Sequence, residues 1–457
     1  MSGDARHGTR HEIRHIGRHA LTVLAGQLAV MAFGTTDTIV AGRYSDGAVA
    51  ALSVGAAIFV SVYVSLMGIF QALLPLWAEQ HGANQPLAIG RSLRQSMYLC
   101  LAACLIGMAV LLAPDALLRW THVPGPLQQE VKRYLAIVAL GLPPALLFRV
   151  YGALNQALGR PHLVTRLQLA SLLLKIPLSV WLAFGGLGMP AMGAAGCAWA
   201  TLVVNYAMFG IALWLMRSRD FYVPLALWQR LERPDWPQLA RFARLGIPAG
   251  LAILVEVTSF TLMALFVARQ GTQASAAHQI AANLAATCYM VPLSLAIAAS
   301  ARVSFWRGAA NEALARQLII QCFWLAALIA ITLSAVLFIA RESIAGFYTS
   351  SPQVVALTAG LLGWVALYHV ADAVQTFSIF VLRCYRITVA PLAIYCALLW
   401  GSGLAGGYWL AYEAPGSLHR SLAQGTPMPF WAASAGALIV TAMAFSGILC
   451  RVVKTRP

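Results

Sequence analysis

Twelve apolar runs, each long enough to cross a lipid bilayer, leave this chain few ways to fold. They lie near residues 20–42, 48–76, 96–114, 134–157, 163–184 and 192–216, and after a polar gap near 245–268, 276–301, 317–340, 356–381, 389–411 and 429–450. A helix needs about 20 apolar residues to span the hydrocarbon core. A water-soluble chain of 457 residues would need a charged coat, yet only 10% of the residues are charged and 60% are hydrophobic. Soluble domains carry about 25% charged residues. The pattern predicts an all-α polytopic membrane protein with twelve transmembrane helices in two six-helix bundles.

Composition removes other classes. The net charge of +16 belongs to membrane topology, since basic residues gather in cytoplasmic loops, and no nucleic-acid partner is expected. Eight cysteines fall mostly in apolar runs without a C-x-x-C pair, so neither a metal framework nor a disulfide pattern is expected. No Walker loop is present, which argues against ATP as the energy source. No acyl-transfer, zincin or redox motif appears, so no enzyme and no cofactor are expected. The polar first 19 residues run straight into a full span, which reads as an uncleaved first helix. With the N-terminus inside, 23 Lys and Arg residues fall on the tails, the even-numbered loops and the span halves beside them (Arg149 and Arg166 among these) and 7 on the odd-numbered loops. Both termini are therefore expected in the cytoplasm, with the chain in a bacterial-type inner membrane.

The domains expected are a basic cytoplasmic tail (1–19), a first bundle (20–216), a cytoplasmic linker (217–244), a second bundle (245–450) and a short cytoplasmic tail (451–457). In the first tail Arg-His recurs at Arg6-His7, Arg10-His11, Arg14-His15 and Arg18-His19. Such a stripe reads as a cationic helix at anionic lipid heads, with a histidine metal site as the lesser reading.

The two halves match without gaps at an offset of 226 residues. Thr35 to Ala83 laid over Thr261 to Ala309 gives ten identities in 49, including Arg43 with Arg269, Tyr63 with Tyr289 and Gly82-Ala83 with Gly308-Ala309. Six spans per half give both halves the same orientation, as in transporters built from two parallel bundles.

Three acids sit deep in spans, Asp37, Glu256 and Asp372, with Lys175 as the one deep base. A charge at a helix centre costs about 2.5–3.5 kcal/mol, so the default reading of such a group is function. Tyr368 lies one turn before Asp372, on the same face. Glu256, Asp372 and Tyr368 together suit Na⁺, a hard cation that prefers oxygen ligands, or a shared proton. Lys175 finds its simplest partner in Asp37, predicting an ion pair in the first bundle; a cavity-facing or snorkelling lysine is the alternative. Asn155, Gln279, Asn283 and Gln375 are further polar residues in spans, divided between helix-packing bonds and cavity lining. His278 and His369 read as helix-packing bonders.

These residues also carry a family likeness. The stretches TTDTIVAGRYSDGAVAALSVG, KIPLSVWLAFGGLGMPAMGAAGCAWAT, GIPAGLAILVEV with SAAHQIAANLAATCYMVPLSLAIAASARVS, and ADAVQTFSIFVLRCYRITVAP resemble the multidrug and toxin extrusion (MATE) transporters, NorM-like branch, across about residues 20–450. The resemblance implies export of organic cations coupled to inward Na⁺ or H⁺. It implies that Glu256, Asp372 and Tyr368 form the cation site of the second bundle, and that Asp37 is the acid of the first. Lys175 stands where that family has asparagine, which puts a cation or proton site in the first bundle in doubt. Ser304 and the Cys384-Tyr385 stretch depart as loop or packing changes. The expectation is a multidrug efflux antiporter for small organic cations, monomeric in the bilayer. A flippase for a lipid-linked or anionic substrate is the alternative.

Overall fold

In a computed structural model of the chain, residues 2–115, 118, 125–186, 188–413 and 426–455 are described, without side chains for 2–9 and 126. The Arg6-His7 pair therefore lies outside the described side chains. Twelve helices among these residues are long and apolar enough to cross a membrane. No strand is present among them, only an isolated bridge between Gly186 and Met189.

The chain divides into two compact units, one of residues 22–250 and one of residues 1–21 with 251–457. The first contains most of α1 (Ser2–Tyr44) and then α2 (Asp46–Gln71), α3 (Leu74–Gly82), α4 (Pro86–Leu112), α5 (Gly125–Ala157), α6 (Pro161–Phe184) and α7 (Ala194–Ser218). The second contains most of α8 (Trp236–Ala268), then α9 (Thr272–Gly308), α10 (Glu312–Ile339), α11 (Arg341–Tyr348), α12 (Pro352–Cys384), α13 (Val389–Tyr395), a π-helical stretch (Cys396–Ala405), α14 (Gly406–Tyr412) and α15 (Met428–Thr455).

Local sequence sets the boundaries. Ser45 caps α2 by accepting from the Ala48 N–H at 3.1 Å, and Asn311 caps α10 through Leu314 N–H at 3.0 Å. Each satisfies an amide that the first turn leaves unpaired. Proline opens α4, α6 and α12, where its missing N–H costs nothing. In each unit one helix forms the core. In the first unit α5 packs against α2, α4 and α7; in the second α12 packs against α9, α10 and α15.

The backbone repeats at the sequence offset of 226. Helices α2 and α9 begin at Asp46 and Thr272, α3 and α9 end at Gly82 and Gly308, and α4 and α10 begin at Pro86 and Glu312. The left-handed residues Asn84 (φ 55°) and Ala310 (φ 57°) sit at the same offset. Neither is glycine, so the turn is held by the helices it joins, against a local preference for glycine.

Two boundaries differ from the sequence reading. The basic tail and the first span are one unbroken 43-residue helix. The tail end of α1 joins the unit of the second half: Arg302 of α9 donates to both carboxylate oxygens of Glu12, at 2.7 and 2.8 Å. Arg14 and Arg18 face outward while His19 is buried, and no group of three metal-ligating side chains occurs among the described residues. The segment 217–244 is also more ordered than a linker need be. Buried Arg94 of α4 donates to Glu232 and to the Ala226 carbonyl, both at 2.6 Å, and Arg91 meets Asp235 at 3.2 Å. Gly90 permits this approach, since a Cβ there would lie 1.8 Å from the Leu225 carbonyl oxygen.

Candidate functional site

The second unit has a narrow cleft with one acid in its wall. Glu256 and Tyr368 line it with Ser259, Phe260, Met263 and Ser434. Its volume is about 30 Å³, room for a water or two, or for one desolvated cation. Pro248 interrupts the hydrogen bonding of α8 two turns before Glu256. The facing wall is the π-helical stretch, which contributes Leu399, Gly403 and Leu404. A π-turn widens a helix locally and is frequent at functional sites.

Asp372 lies behind the cleft, buried in α12. Its Oδ1 accepts from the Gln375 amide at 2.9 Å. That amide also donates to Thr376 at 3.1 Å, and its carbonyl end accepts from the Tyr395 hydroxyl. Tyr395 therefore fixes which way Gln375 points, and Gln375 fixes Asp372. Asp372 and Arg383 both lie within electrostatic range of Glu256, and Tyr289 is near all three. Phe260, Tyr368 and Trp431 pack edge to face with ring centroids 5.9–6.2 Å apart. Trp431 is anchored by donating to His278 Nδ1 at 3.2 Å.

The sequence-derived residues separate into groups. Glu256, Asp372, Tyr368 and Gln375 come together. Asp37 and Lys175 come together in the first unit: Nζ lies 2.7 Å from Asp37 Oδ1. Asn155 is buried, donating to the Tyr151 carbonyl at 2.9 Å and accepting from the linker's Tyr222 at 2.8 Å. It belongs to linker packing. Gln279 and Asn283 are exposed on α9 and do not line the cleft described above. His369 is buried with Nε2 unbonded.

Lys175 is not the only deep base. Arg383 lies just past the apolar run 356–381, but α12 runs on to Cys384 and buries it at 2% exposure. Its Nε and Nη1 have no hydrogen-bond partner, and its guanidinium carbon lies 4.5 Å from the Phe380 ring centre. Tyr289, Arg383 and Tyr395 were not read as site residues. Tyr289 alone carried a signal, as one of the repeat's identities.

Twelve spanning helices in two repeat units define a multi-pass membrane protein of the two-bundle kind. The chain belongs to the MatE family, whose pattern matches residues 23–181 and 248–409. It is 38% identical over 440 residues to a probable multidrug resistance protein NorM of Aromatoleum aromaticum, covering 96% of this chain and 94% of that one. It is 32% identical over 400 residues to the multidrug resistance protein MdtK of Yersinia pseudotuberculosis, covering 87% and 88%. The fold matches the crystal structure of the eukaryotic MATE transporter AtDTX14 with a TM-score of 0.85 at 19% identity, over 97% of this chain and 96% of that one.

Proposed function

We propose that the chain is a secondary-active efflux antiporter. It exports small amphipathic organic cations from the cytoplasm in exchange for inward Na⁺ or H⁺, as a monomer in an inner membrane with both termini cytoplasmic. The observation that carries this reading is the meeting of Glu256, Tyr368 and nearby Asp372 at a cleft sized for an ion. Two carboxylates in apolar surroundings need a cation or a proton, and oxygen ligands suit Na⁺. The multidrug names of the relatives support the substrate class.

Mechanistically, the exported cation and the coupling cation compete for the same negative charge or for the helix positions it controls. Each therefore favours a different state of the protein. The membrane potential assists inward cation movement by about 2.3 kcal/mol per charge per 100 mV. The flippase alternative gains nothing from Lys175, because that ammonium is spent on Asp37.

The test uses purified protein in liposomes preloaded with a fluorescent organic cation. A Na⁺ gradient at fixed pH and a pH gradient without Na⁺ are imposed separately. Dye movement driven by either is expected in the wild type, and its loss in a folded E256Q protein. Gradient-driven transport at the wild-type rate in E256Q would refute the coupling role. Failure of both gradients with folded wild-type protein would put the flippase first.

A further inference from the structure

Two neighbouring helices of the first unit end their exposed apolar faces in arginine. On α6, Leu169, Leu173, Val180 and Phe184 are exposed, and their spacing by four and seven residues puts them on one face. That face begins at Arg166, one turn before Leu169 and also exposed. On α7, which packs against α6, the exposed face runs through Val203, Tyr206, Ile211 and Trp214. It stops at exposed Arg217. Apolar faces of this kind on spanning helices meet lipid chains. Because α6 begins where its neighbour α7 ends, Arg166 and Arg217 stand at the same end of the unit.

The flanking chain ties the two helix ends together. Arg160 precedes α6 and lays its guanidinium over the ring of Phe221, just past the end of α7, at 4.1 Å. The Arg217 guanidinium lies 5.8 Å from the Trp228 ring centre, and Trp228 Nε1 donates to the Met216 carbonyl at 3.3 Å. An arginine resting on a ring keeps its N–H donors for an oxyanion.

Charge at this end is segregated. Of the linker's acids Asp220, Glu232 and Asp235, Glu232 turns to Arg94 and Asp235 to Arg91, both on α4. Arg160, Arg166, Arg217 and Arg219 are exposed, and among the described residues none of them is in an ion pair. Beside them Trp214 is 63% exposed and Trp228 54%. Tryptophan next to basic residues at the end of a spanning helix is the pattern of the membrane interface. A soluble anion would leave both indoles in water; a lipid covers them.

We propose that the α6–α7 edge binds an anionic phospholipid. The headgroup phosphate is shared by Arg160, Arg166, Arg217 and Arg219, Trp214 and Trp228 lie at the level of the glycerol, and the acyl chains follow the two apolar faces. A guanidinium suits this task because its planar fork meets two phosphate oxygens at once. Under the topology proposed above, this end faces the cytoplasmic leaflet, where anionic lipid attracts basic residues. Each arginine at such a surface strengthens binding roughly fivefold.

The test titrates the full chain, delipidated in nonionic detergent, with brominated phosphatidylglycerol and separately with brominated phosphatidylcholine, reading the quenching of tryptophan fluorescence. Saturable quenching at a lower mole fraction of phosphatidylglycerol is expected. R166Q/R217Q should weaken it about 20-fold, and R166K/R217K should hold most of the affinity. W214F/W228F should remove the quenching that R166Q/R217Q shifts. R241Q/R451Q takes the same charge from exposed positions elsewhere and should bind as the wild type does. The proposal is overturned if the two lipids quench alike, if R166Q/R217Q binds unchanged, or if R241Q/R451Q weakens binding as much. It is also overturned if inorganic phosphate or pyrophosphate displaces the lipid at equal concentration, which would make this a site for a soluble anion. Binding is read without a transport step, so the result stands apart from the antiport reading.

Discussion

Replacing Lys175 by methionine isolates the energy of the first-half ion pair. Methionine refills most of the space of the lysine stem and supplies no donor. Asp37 keeps the Ser179 and Thr201 hydroxyls and loses its counter-charge. Removing one partner of a buried pair costs about 3–5 kcal/mol. The cost has a ceiling, because the stranded carboxylate can take up a proton. From an ordinary aspartate pKa, that takes about 4 kcal/mol at pH 7 and about 1.5 kcal/mol at pH 5. The K175M penalty should therefore shrink by about 2–3 kcal/mol on acidification from pH 7 to pH 5. D37N is milder, about 2 kcal/mol, because an asparagine oxygen still meets the ammonium beside Thr201 and Cys197. The double mutant D37N/K175M leaves no buried charge. It should lie within about 2 kcal/mol of wild type, well short of the sum of the single changes. Reversible unfolding in mixed detergent micelles, followed by circular dichroism at both pH values, reads all four proteins. Additivity within about 0.5 kcal/mol, or a K175M penalty independent of pH, would refute the reasoning.

Three further outcomes follow from the geometry. Arg383 places a positive charge near Glu256, so R383Q should tighten the apparent affinity for the coupling cation and extend transport to higher pH; weaker cation dependence in a folded R383Q would contradict this. The Tyr395 hydroxyl orients Gln375, so Y395F should destabilise by about 1–3 kcal/mol and weaken cation dependence in liposome transport, and an unchanged protein on both counts would remove the brace from the site. Glu232 is held below the usual carboxylate range chiefly by its hydrogen bond from Arg94. Its stabilisation is present above about pH 4.3, the unfolded value, and is lost as pH falls through the lower folded value. The carboxylate is partly exposed, so E232Q should cost about 1 kcal/mol or less at pH 7. The difference from wild type should disappear in acid, as read by melting temperature.

The fold was largely legible because bilayer length and hydropathy are properties of single segments. Twelve runs became twelve spanning helices, and the repeat register survived in the turns at Asn84 and Ala310. Boundaries were less legible where polar residues continue a helix. Arg383 looked like loop because a charged residue after an apolar run ends the hydropathy signal, yet α12 continues and buries it. The first tail looked separate for the same reason, although its polar residues are helical and Glu12 pairs with Arg302. Of the site, the acids were visible because a charge in a span is costly whatever surrounds it. Tyr395 was not, since a tyrosine in an apolar run carries no comparable cost, and Tyr289 showed only as an identity of the repeat. Nor could polarity alone place Asn155 against the linker while leaving Gln279 and Asn283 exposed. That depends on helix rotation, which is set by packing.

The repeat also shows where the two halves differ on one backbone plan. At the 226-residue offset Asp37 corresponds to Met263, and Lys175 to Gly401. Met263 lines the second-half cleft, and Gly401 lies in the π-helical stretch that forms its other wall. Where the first half has a carboxylate closed by an ammonium, the second half has an apolar side chain and a residue with no side chain at all. Glycine suits the local widening of the helix. The acids of the second half stand at positions matching Val30 and Leu146 of the first. The ion pair of the first half therefore has no counterpart at the matching positions of the second.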